Sequence, residues 1–435
     1  MTAPAEVRSP ARRWAVGLIV AGLVLSVLSG HSHRLGFPIG PDRILIPGGV
    51  ALLALSGEFS TAGRFRWRWV HTFMVATILW TTWSAITAET LATTTGFYAL
   101  LDRILVPFLL FAVAPAIFRT EADRRLLLKA LILLGIYLGL TAIFEMAGPT
   151  SLVFPTYIMD PDVGILFGRA RGPFASSEPN GMVMAAVLFA TLVLARRLST
   201  VWKIASAVAA ALCTVGIVLT LTRSVWLGTV FGLVAVVLLT PRLRRRLPLI
   251  VGGVVALVYV VLTSVPSLMD LVVERLTTQR SVYDRQNTNE AALRIIEEHP
   301  IDGVGWSRFV DVSVDWVRQA DTYPITNVTI EVHNVVLGRA AELGLIGAGL
   351  WVACVLAGPL LAAVHLPRDP ELADWRMVFI GLACMWSVVI MVSPTPYPLP
   401  NNLVWLLAGM VLRDYLVSDR RSSIRRGTRV GVPGT

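Results

Sequence analysis

The stretch that decides the fold is Glu331–Trp351, EVHNVVLGRAAELGLIGAGLW. It places His333 and Asn334 one short helical segment before Gly344. From Gly344 through Val364 the chain carries no charge, and this run is long enough to cross a bilayer as a helix. We therefore expect a histidine just outside a membrane, at the end of a membrane helix.

The composition indicates an integral membrane protein. The 435 residues are 55% hydrophobic and 15% charged, whereas a soluble domain is nearer a quarter charged. Apolar runs recur from end to end and leave no room for a large separate soluble domain. We predict an all-α polytopic membrane protein with about twelve transmembrane helices. The predicted spans are 14–29, 43–57, 69–88, 104–118, 126–147, 181–195, 202–222, 225–240, 248–265, 343–364, 376–393 and 401–417.

The net charge of +10 is explained by orientation in a membrane, so we expect no nucleic-acid partner. Basic clusters fall in alternate connections between the predicted spans, and the positive-inside rule assigns those connections to the cytoplasm. Both termini then also lie in the cytoplasm. The clusters are Arg12-Arg13, Arg64/Arg66/Arg68, Arg119/Arg124/Arg125, Arg196-Arg197, Arg242/Arg244/Arg245/Arg246, Arg368/Arg376 and Arg420–Arg429.

Two connections are long, about 148–180 and 266–332, and both are predicted to lie outside. The second, here the cap loop, is too apolar for disorder, and its residues Asn287–Glu298 form an amphipathic pattern ended by His299-Pro300. We divide the chain into an N-terminal bundle of about nine helices (1–265), the cap loop (266–332), C-terminal transmembrane helices (333–417) and a basic cytoplasmic tail (418–435).

Two residues at the outer membrane boundary are the main candidates for chemistry. Arg223 lies at the junction of two spans, where its guanidinium fork suits a phosphate or pyrophosphate head group. The alternative is an arginine that only snorkels to lipid phosphates. His333 is the side chain best suited to proton transfer near neutral pH, but His333-Asn334 also fits a simple polar helix start.

Other polar residues support the same outer site less specifically. Arg285 and Arg294 lie in the amphipathic part of the cap loop, where a solvated charged face is the alternative. Arg171 begins RGPFASSEPNG before a span, where a capped helix start is equally consistent. We include Asn334, Arg171, Arg294 and Glu342 as candidate substrate-binding residues. No Walker A or GxGxxG motif and no metal-ligand spacing is present, so we expect no metal and no cofactor.

Four motifs in this order resemble the bacterial O-antigen ligase and polymerase superfamily. His333-Asn334, nine residues and then Gly344-x-x-Gly347 is similar to its H-[NSQ]-x9-G-x-x-G pattern. Arg223-x3-Leu227 is similar to its R-x3-L motif, and GPFASSEPNG resembles its G-x-F-x-x-x-N-G motif. Tyr283–Trp306 resembles the start of its large periplasmic loop. The likeness covers about 150–430.

The resemblance implies a GT-C-like fold and a metal-independent, inverting glycosyl transfer at the outer face of the bacterial plasma membrane. The donor would be an undecaprenyl-diphosphate-linked glycan, and the acceptor a sugar hydroxyl of lipid A-core or of another glycan. Arg223 and Arg285 would hold the diphosphate, and His333 would position or deprotonate the acceptor hydroxyl. A ligase, a polymerase of the same superfamily and, from another class, a secondary transporter remain the competing hypotheses.

The charge pattern predicts that the cap loop lies outside the cell. A cysteine introduced at Asp315 should react with a membrane-impermeant thiol reagent in intact cells. Labelling that required lysis would contradict the predicted orientation and the outward-facing site.

Overall fold

The computed structural model describes residues 9–61, 63–264, 268–320, 322–394 and 397–418. The side chains of 60, 61 and 264 and the predicted basic tail beyond 418 lie outside the described residues. Strand structure in the described part is limited to Arg64–Phe65, which pairs antiparallel with Val417–Ser418. The rest is helices and their connections, so the prediction of an all-α polytopic protein is confirmed at that level.

Fifteen helices carry the architecture. They are α1 Pro10–Leu25, α2 Asp42–Leu55, α3 Trp69–Thr87, α4 Thr94–Ile117, α5 Glu121–Met146, α6 Ser177–Leu194, α7 Thr200–Leu219, α8 Arg223–Leu239, α9 Leu247–Ser264, α10 Leu268–Thr277, α11 Arg280–Glu298, α12 Phe309–Trp316, α13 Val335–Val364, α14 Pro370–Ile390 and α15 Pro398–Val411. Single-turn helices occur at Ser26–Leu35, Glu58–Thr61, Thr150–Leu152, Thr156–Met159, Gly172–Phe174, Ala195–Arg197, Pro241–Arg244 and Arg413–Leu416.

Each of the twelve predicted apolar runs falls on a helix, but fewer helices meet the requirements of a membrane span. Seven are long and apolar enough to cross a bilayer by length and composition, within the described residues. The bent pair formed by α9 with α10 and α11 would make an eighth. The chain is therefore a multi-pass membrane protein, and the count of twelve spans stays a prediction.

Helices α6 and α15 form the centre of the bundle, since nearly all of their residues are buried. Helix α8 crosses α14 where Gly232 and Gly381 face each other. A Cβ on Gly232 would lie 2.5 Å from the Gly381 carbonyl oxygen. Small residues at such a crossing let two helix backbones approach closely, which is a common basis of packing inside membranes.

Helix α13 is broken at Gly344, and this break receives part of the cap loop. Gly344 has φ 68° and ψ 179°, which ends the regular hydrogen-bond ladder of the helix. The Leu345 amide instead donates to the Pro300 carbonyl at 2.8 Å. A Cβ on Gly344 would lie 1.9 Å from the Ile301 carbonyl oxygen, so glycine is required by both conformation and space.

The carbonyls that the break frees are all paired from outside the helix. The Val304 amide donates to Ala341 at 2.9 Å, and the Gly305 amide donates to Glu342 at 3.0 Å. The Leu343 carbonyl accepts from the Trp80 indole at 2.9 Å. Because unpaired backbone groups are costly in a membrane protein, these bonds make the break stable and join the cap loop to α3 and α13.

Helix α11 ends at Glu298 as predicted but begins at Arg280 rather than Asn287. The added turns are polar, so they carry no amphipathic signal in the sequence, and contacts with α8 and α14 hold them. The apolar face of α11 packs Ala291, Ala292 and Ile295 in one cluster with Phe309 of α12. Trp306 is fully buried, and its indole donates to the Gly96 carbonyl at 3.0 Å.

Replacement of Gly344 by alanine should destabilise the protein by about 1–3 kcal/mol or more, because it combines backbone strain with a backbone collision. The matched control is Gly349→Ala in the same helix, where a Cβ meets no atom within 4 Å. That change should be neutral or stabilise by about 0.5–1 kcal/mol. Thermal unfolding in detergent measures both, and equal melting temperatures for the two variants would contradict this account of the break.

Candidate functional site at the outer end of the bundle

His333 is held at the start of α13 by the residue that follows it. The Asn334 Oδ1 accepts hydrogen bonds from the amides of Val336 at 3.0 Å and Leu337 at 3.1 Å. Asn334 is buried, so it caps the helix as its residue type suggests. The cap fixes the backbone of His333 one residue before the helix. A direct role of Asn334 in binding substrate stays a prediction.

Arg223 and Arg285 meet on one face of α11. Arg223, the first residue of α8, donates from its guanidinium to the Ser281 hydroxyl at 2.7 Å. Ser281 and Arg285 are four residues apart in the helix and therefore share a face. The Arg285 Nε donates to the Val392 carbonyl, just beyond α14, at 3.1 Å. The first turns of α11 thus bring two predicted site arginines together.

The local charge is strongly positive. Burial and then the charge of Arg223 lower the pKa of Arg285, whereas Glu178 and Asp284 raise it. Burial, Arg275 and Arg223 lower the pKa of Arg169 to about 10. Arg169 and Arg275 were not predicted from the sequence as part of this group. Like charges held together without enough carboxylates favour an anionic ligand.

His333 lies within the electrostatic reach of this arginine group. Burial and then Arg285 lower the pKa of His333, while Asp284 and Glu331 raise it. Its Nδ1 is buried and has no hydrogen-bond partner in the described part of the chain. A neutral imidazole with an unpaired nitrogen can exchange a proton with a ligand near neutral pH.

Polar residues from α6 and from the segment before α15 complete the surroundings. The Ser393 hydroxyl donates to Glu178 Oε1 at 2.6 Å, and Glu178 also interacts with Arg285. The Tyr397 hydroxyl donates to Ser176 Oγ at 2.7 Å. Sequence reasoning missed these residues. The signal available was a carboxylate, Glu178, at the start of an otherwise apolar run.

Arg171 serves the outer loop before α6. It is fully buried, and its guanidinium donates to the carbonyls of Ile158 and Val163, each at 2.6 Å. Its backbone amide donates to Glu145 at 2.9 Å. These contacts support a structural role and leave no exposed surface for a ligand. The assignment of Arg171 to substrate binding stays a prediction that the contacts do not favour.

Arg294 lies away from the arginine group. Nine residues separate it from Arg285, so a helix of 3.6 residues per turn places the two on opposite faces of α11. Its guanidinium donates to the Trp316 carbonyl at 3.0 Å and to Glu290 at 3.1 Å. The structure therefore separates these two arginines, and substrate binding by Arg294 stays an untested prediction.

Glu342 lines a cavity of about 30 Å³ behind the His333 segment. The same cavity is lined by Arg103, Glu331 and Arg339, and Arg103 donates to the Glu331 carboxylate at 2.5 Å. This volume holds about one or two water molecules rather than a glycan. Glu342 thus belongs to a buried charged cluster next to the site, and its role in substrate binding stays a prediction.

Comparison with known families agrees with the motifs. Residues 208–352 match the family model described as O-Antigen ligase. The matched segment contains Arg223, Arg285 and His333 and ends just beyond Gly347, so the resemblance to the superfamily is confirmed. No curated protein matches the chain at a significant level.

The pKa of His333 should lie below its ordinary value of 6.5, because burial and Arg285 both disfavour the imidazolium. Asp284→Asn should lower this pKa further, and Arg285→Gln should raise it. Histidine NMR titration of the purified protein measures the pKa, with His333→Gln assigning the signal among six histidines. Asp315→Asn, a change on α12, is the control. A wild-type pKa at or above 6.5 would refute the described electrostatics.

Proposed function

Residues 208–352 carry an O-antigen ligase domain, and from this premise we propose that the chain transfers a glycan from a lipid-linked donor to a sugar hydroxyl. The donor is an undecaprenyl-diphosphate-linked glycan, and the reaction takes place on the outer face of the bacterial plasma membrane. Both termini lie in the cytoplasm. The acceptor is lipid A-core or another glycan. The protein is a metal-independent, inverting transferase that uses no cofactor.

The observation that carries this proposal is the meeting of Arg223 and Arg285 beside His333. The two arginines come from helices that are distant in sequence, and the Ser281 contact holds them on one face of α11. A diphosphate offers oxygens that two guanidinium groups can bind at once. It also neutralises the like charges that otherwise lower the pKa of Arg285.

The reaction follows from these positions. The acceptor hydroxyl oxygen attacks the anomeric carbon of the donor, a new glycosidic bond forms, and the bond from that carbon to the phosphate oxygen breaks. The electron pair leaves with the lipid diphosphate, whose growing negative charge Arg223 and Arg285 stabilise. The hydroxyl proton moves to His333. Attack opposite the leaving group inverts the anomeric centre.

Arg285 serves both partners of this reaction. Its charge binds the leaving group, and the same charge lowers the pKa of His333 so that the imidazole is neutral before the reaction. After the transfer, the diphosphate offsets part of the charge of Arg285, which makes the protonated imidazole easier to form. The base is therefore available at neutral pH and becomes stronger as the leaving group develops its charge.

A polymerase of the same superfamily would use the same site with a second lipid-linked glycan as acceptor. The ligase is the main proposal, and the polymerase is its alternative. The acceptor distinguishes the two, so a transfer assay should offer lipid A-core and a lipid-linked glycan in parallel. A secondary transporter, the hypothesis from another class, would form no new glycosidic bond in either assay.

Separate substitutions should divide donor binding from transfer. Arg223→Lys keeps the charge but loses the bidentate fork, so donor affinity should fall roughly 10- to 100-fold. His333→Gln can still position a hydroxyl but cannot accept its proton, so transfer should fall about 10²–10⁴-fold while donor binding is kept. Gel-shift transfer and donor-binding assays on purified protein, with EDTA present, measure both quantities.

The matched controls are Arg308→Lys, an arginine of the cap loop that pairs with Asp311, and His33→Gln, an exposed histidine. Both should keep wild-type binding and transfer. Wild-type turnover by His333→Gln would rule out the histidine as the base. Wild-type binding by Arg223→Lys would reduce that arginine to an interfacial anchor, and inhibition by EDTA would refute the metal-independent mechanism.

A further inference from the structure

A second polar site lies at the opposite end of the bundle from His333. Helices α6 and α8 begin beside the arginine group and end at Leu194 and Leu239, about 25 Å away for a helix of this length. Between these ends and the start of α7 lies a cavity of about 390 Å³. Its size is within the range of small-molecule binding sites.

The cavity exists because α7 and α8 do not close against each other. Each packs on α6, and α8 also packs along α14, but the two helices contact each other at few positions. Leu192 and Val193 of α6 form the apolar part of the wall. The space is therefore a gap between helices at the rim of the bundle, where a lipid can enter from the side.

The polar lining is rich in cations. Arg196, Lys203, Arg242 and Arg246 line the cavity together with one carboxylate, Asp374. Asp374 is already paired with Arg196 and with Arg197, whose Nε lies 2.7 Å from the carboxylate. In the described residues, Lys203, Arg242 and Arg246 have no carboxylate partner. The lining thus keeps an excess of positive charge.

Thr240 points to a ligand independently of charge. Its hydroxyl oxygen is buried, lines the cavity and has no hydrogen-bond partner in the described part of the chain. A buried hydroxyl without a partner costs free energy, and a phosphate oxygen would satisfy it. Orientation by the positive-inside rule requires basic residues, but it requires neither a cavity nor an unpaired hydroxyl.

The surroundings favour a lipid over a free anion. Ile204 follows the lining residue Lys203 and is 62% exposed, and Leu239 precedes Thr240 and is 54% exposed. Apolar side chains so exposed on a membrane helix suit contact with acyl chains. The combination of a cationic head-group cavity with an apolar rim is typical of sites for anionic phospholipids.

We propose that this cavity, at the inner rim between α6, α7 and α8, binds the head group of an anionic phospholipid. Lys203, Arg242 and Arg246 bind the phosphate, and the Thr240 hydroxyl donates to one of its oxygens. The acyl chains lie along the exposed apolar faces of α7 and α8. The bound lipid fills the gap between these helices, and this site is separate from the glycan-transfer site.

The test compares binding of phosphatidylglycerol and phosphatidylcholine with the same acyl chains to the full-length protein in neutral detergent. Arg242→Ala/Arg246→Ala should weaken phosphatidylglycerol binding roughly 10- to 30-fold. The matched control is Arg244→Ala/Arg245→Ala, which removes the same charge from neighbouring residues outside the cavity lining. It should change binding less than about twofold. Equal losses in both double variants would show a non-specific charge effect and overturn the site.

Further arms separate the alternatives. Leu192→Trp fills the cavity while all charges are kept, and it should abolish the preference for phosphatidylglycerol. Arg242→Lys/Arg246→Lys should retain binding, which separates lost charge from failed folding. Binding of phosphatidylcholine as tight as that of phosphatidylglycerol would overturn the proposal. Displacement of the lipid by millimolar inorganic phosphate would show a free-anion site and overturn the lipid assignment.

Discussion

The break of α13 at Gly344 is the constraint on which the outer half of the protein depends. A left-handed glycine ends the hydrogen-bond ladder, and the freed carbonyls are paired by Val304, Gly305 and Trp80. The cap loop is therefore joined to α13 through backbone groups that would otherwise be unpaired near a membrane. Because α11 ends directly before this junction, the same bonds help to place Arg285 next to His333.

The site combines positive charge with burial in a way that a soluble surface would not keep. Arg223, Arg285, Arg169 and Arg275 lie close enough to affect one another, and burial strengthens that repulsion. Backbone and hydroxyl contacts, such as the Arg285 bond to Val392, hold the guanidinium groups in place. The folded protein thus stores electrostatic repulsion that an anionic substrate relieves, and this arrangement favours binding of a lipid diphosphate.

The two ends of the bundle use basic residues differently. At the outer end, arginines from α8 and α11 converge on one face and on a histidine, which suits chemistry on a diphosphate. At the other end, cations line a gap between α7 and α8 beside exposed apolar side chains, which suits a resident lipid. Helix α6 connects these ends, and its nearly complete burial makes it the rigid element shared by both.

The sequence by itself determined the class of protein, the helical runs, the motif order and the residues His333, Arg223 and Arg285, because hydropathy and short motifs are local properties. The early start of α11 at Arg280 could not be predicted, since its polar first turns are held by Ser281 and Arg285 contacts with distant helices. The tertiary structure also decided which polar residues meet. It added Glu178 to the arginine group, committed Arg171 to loop carbonyls and placed Arg294 on the opposite face of α11, because proximity across helices depends on packing that no single segment encodes.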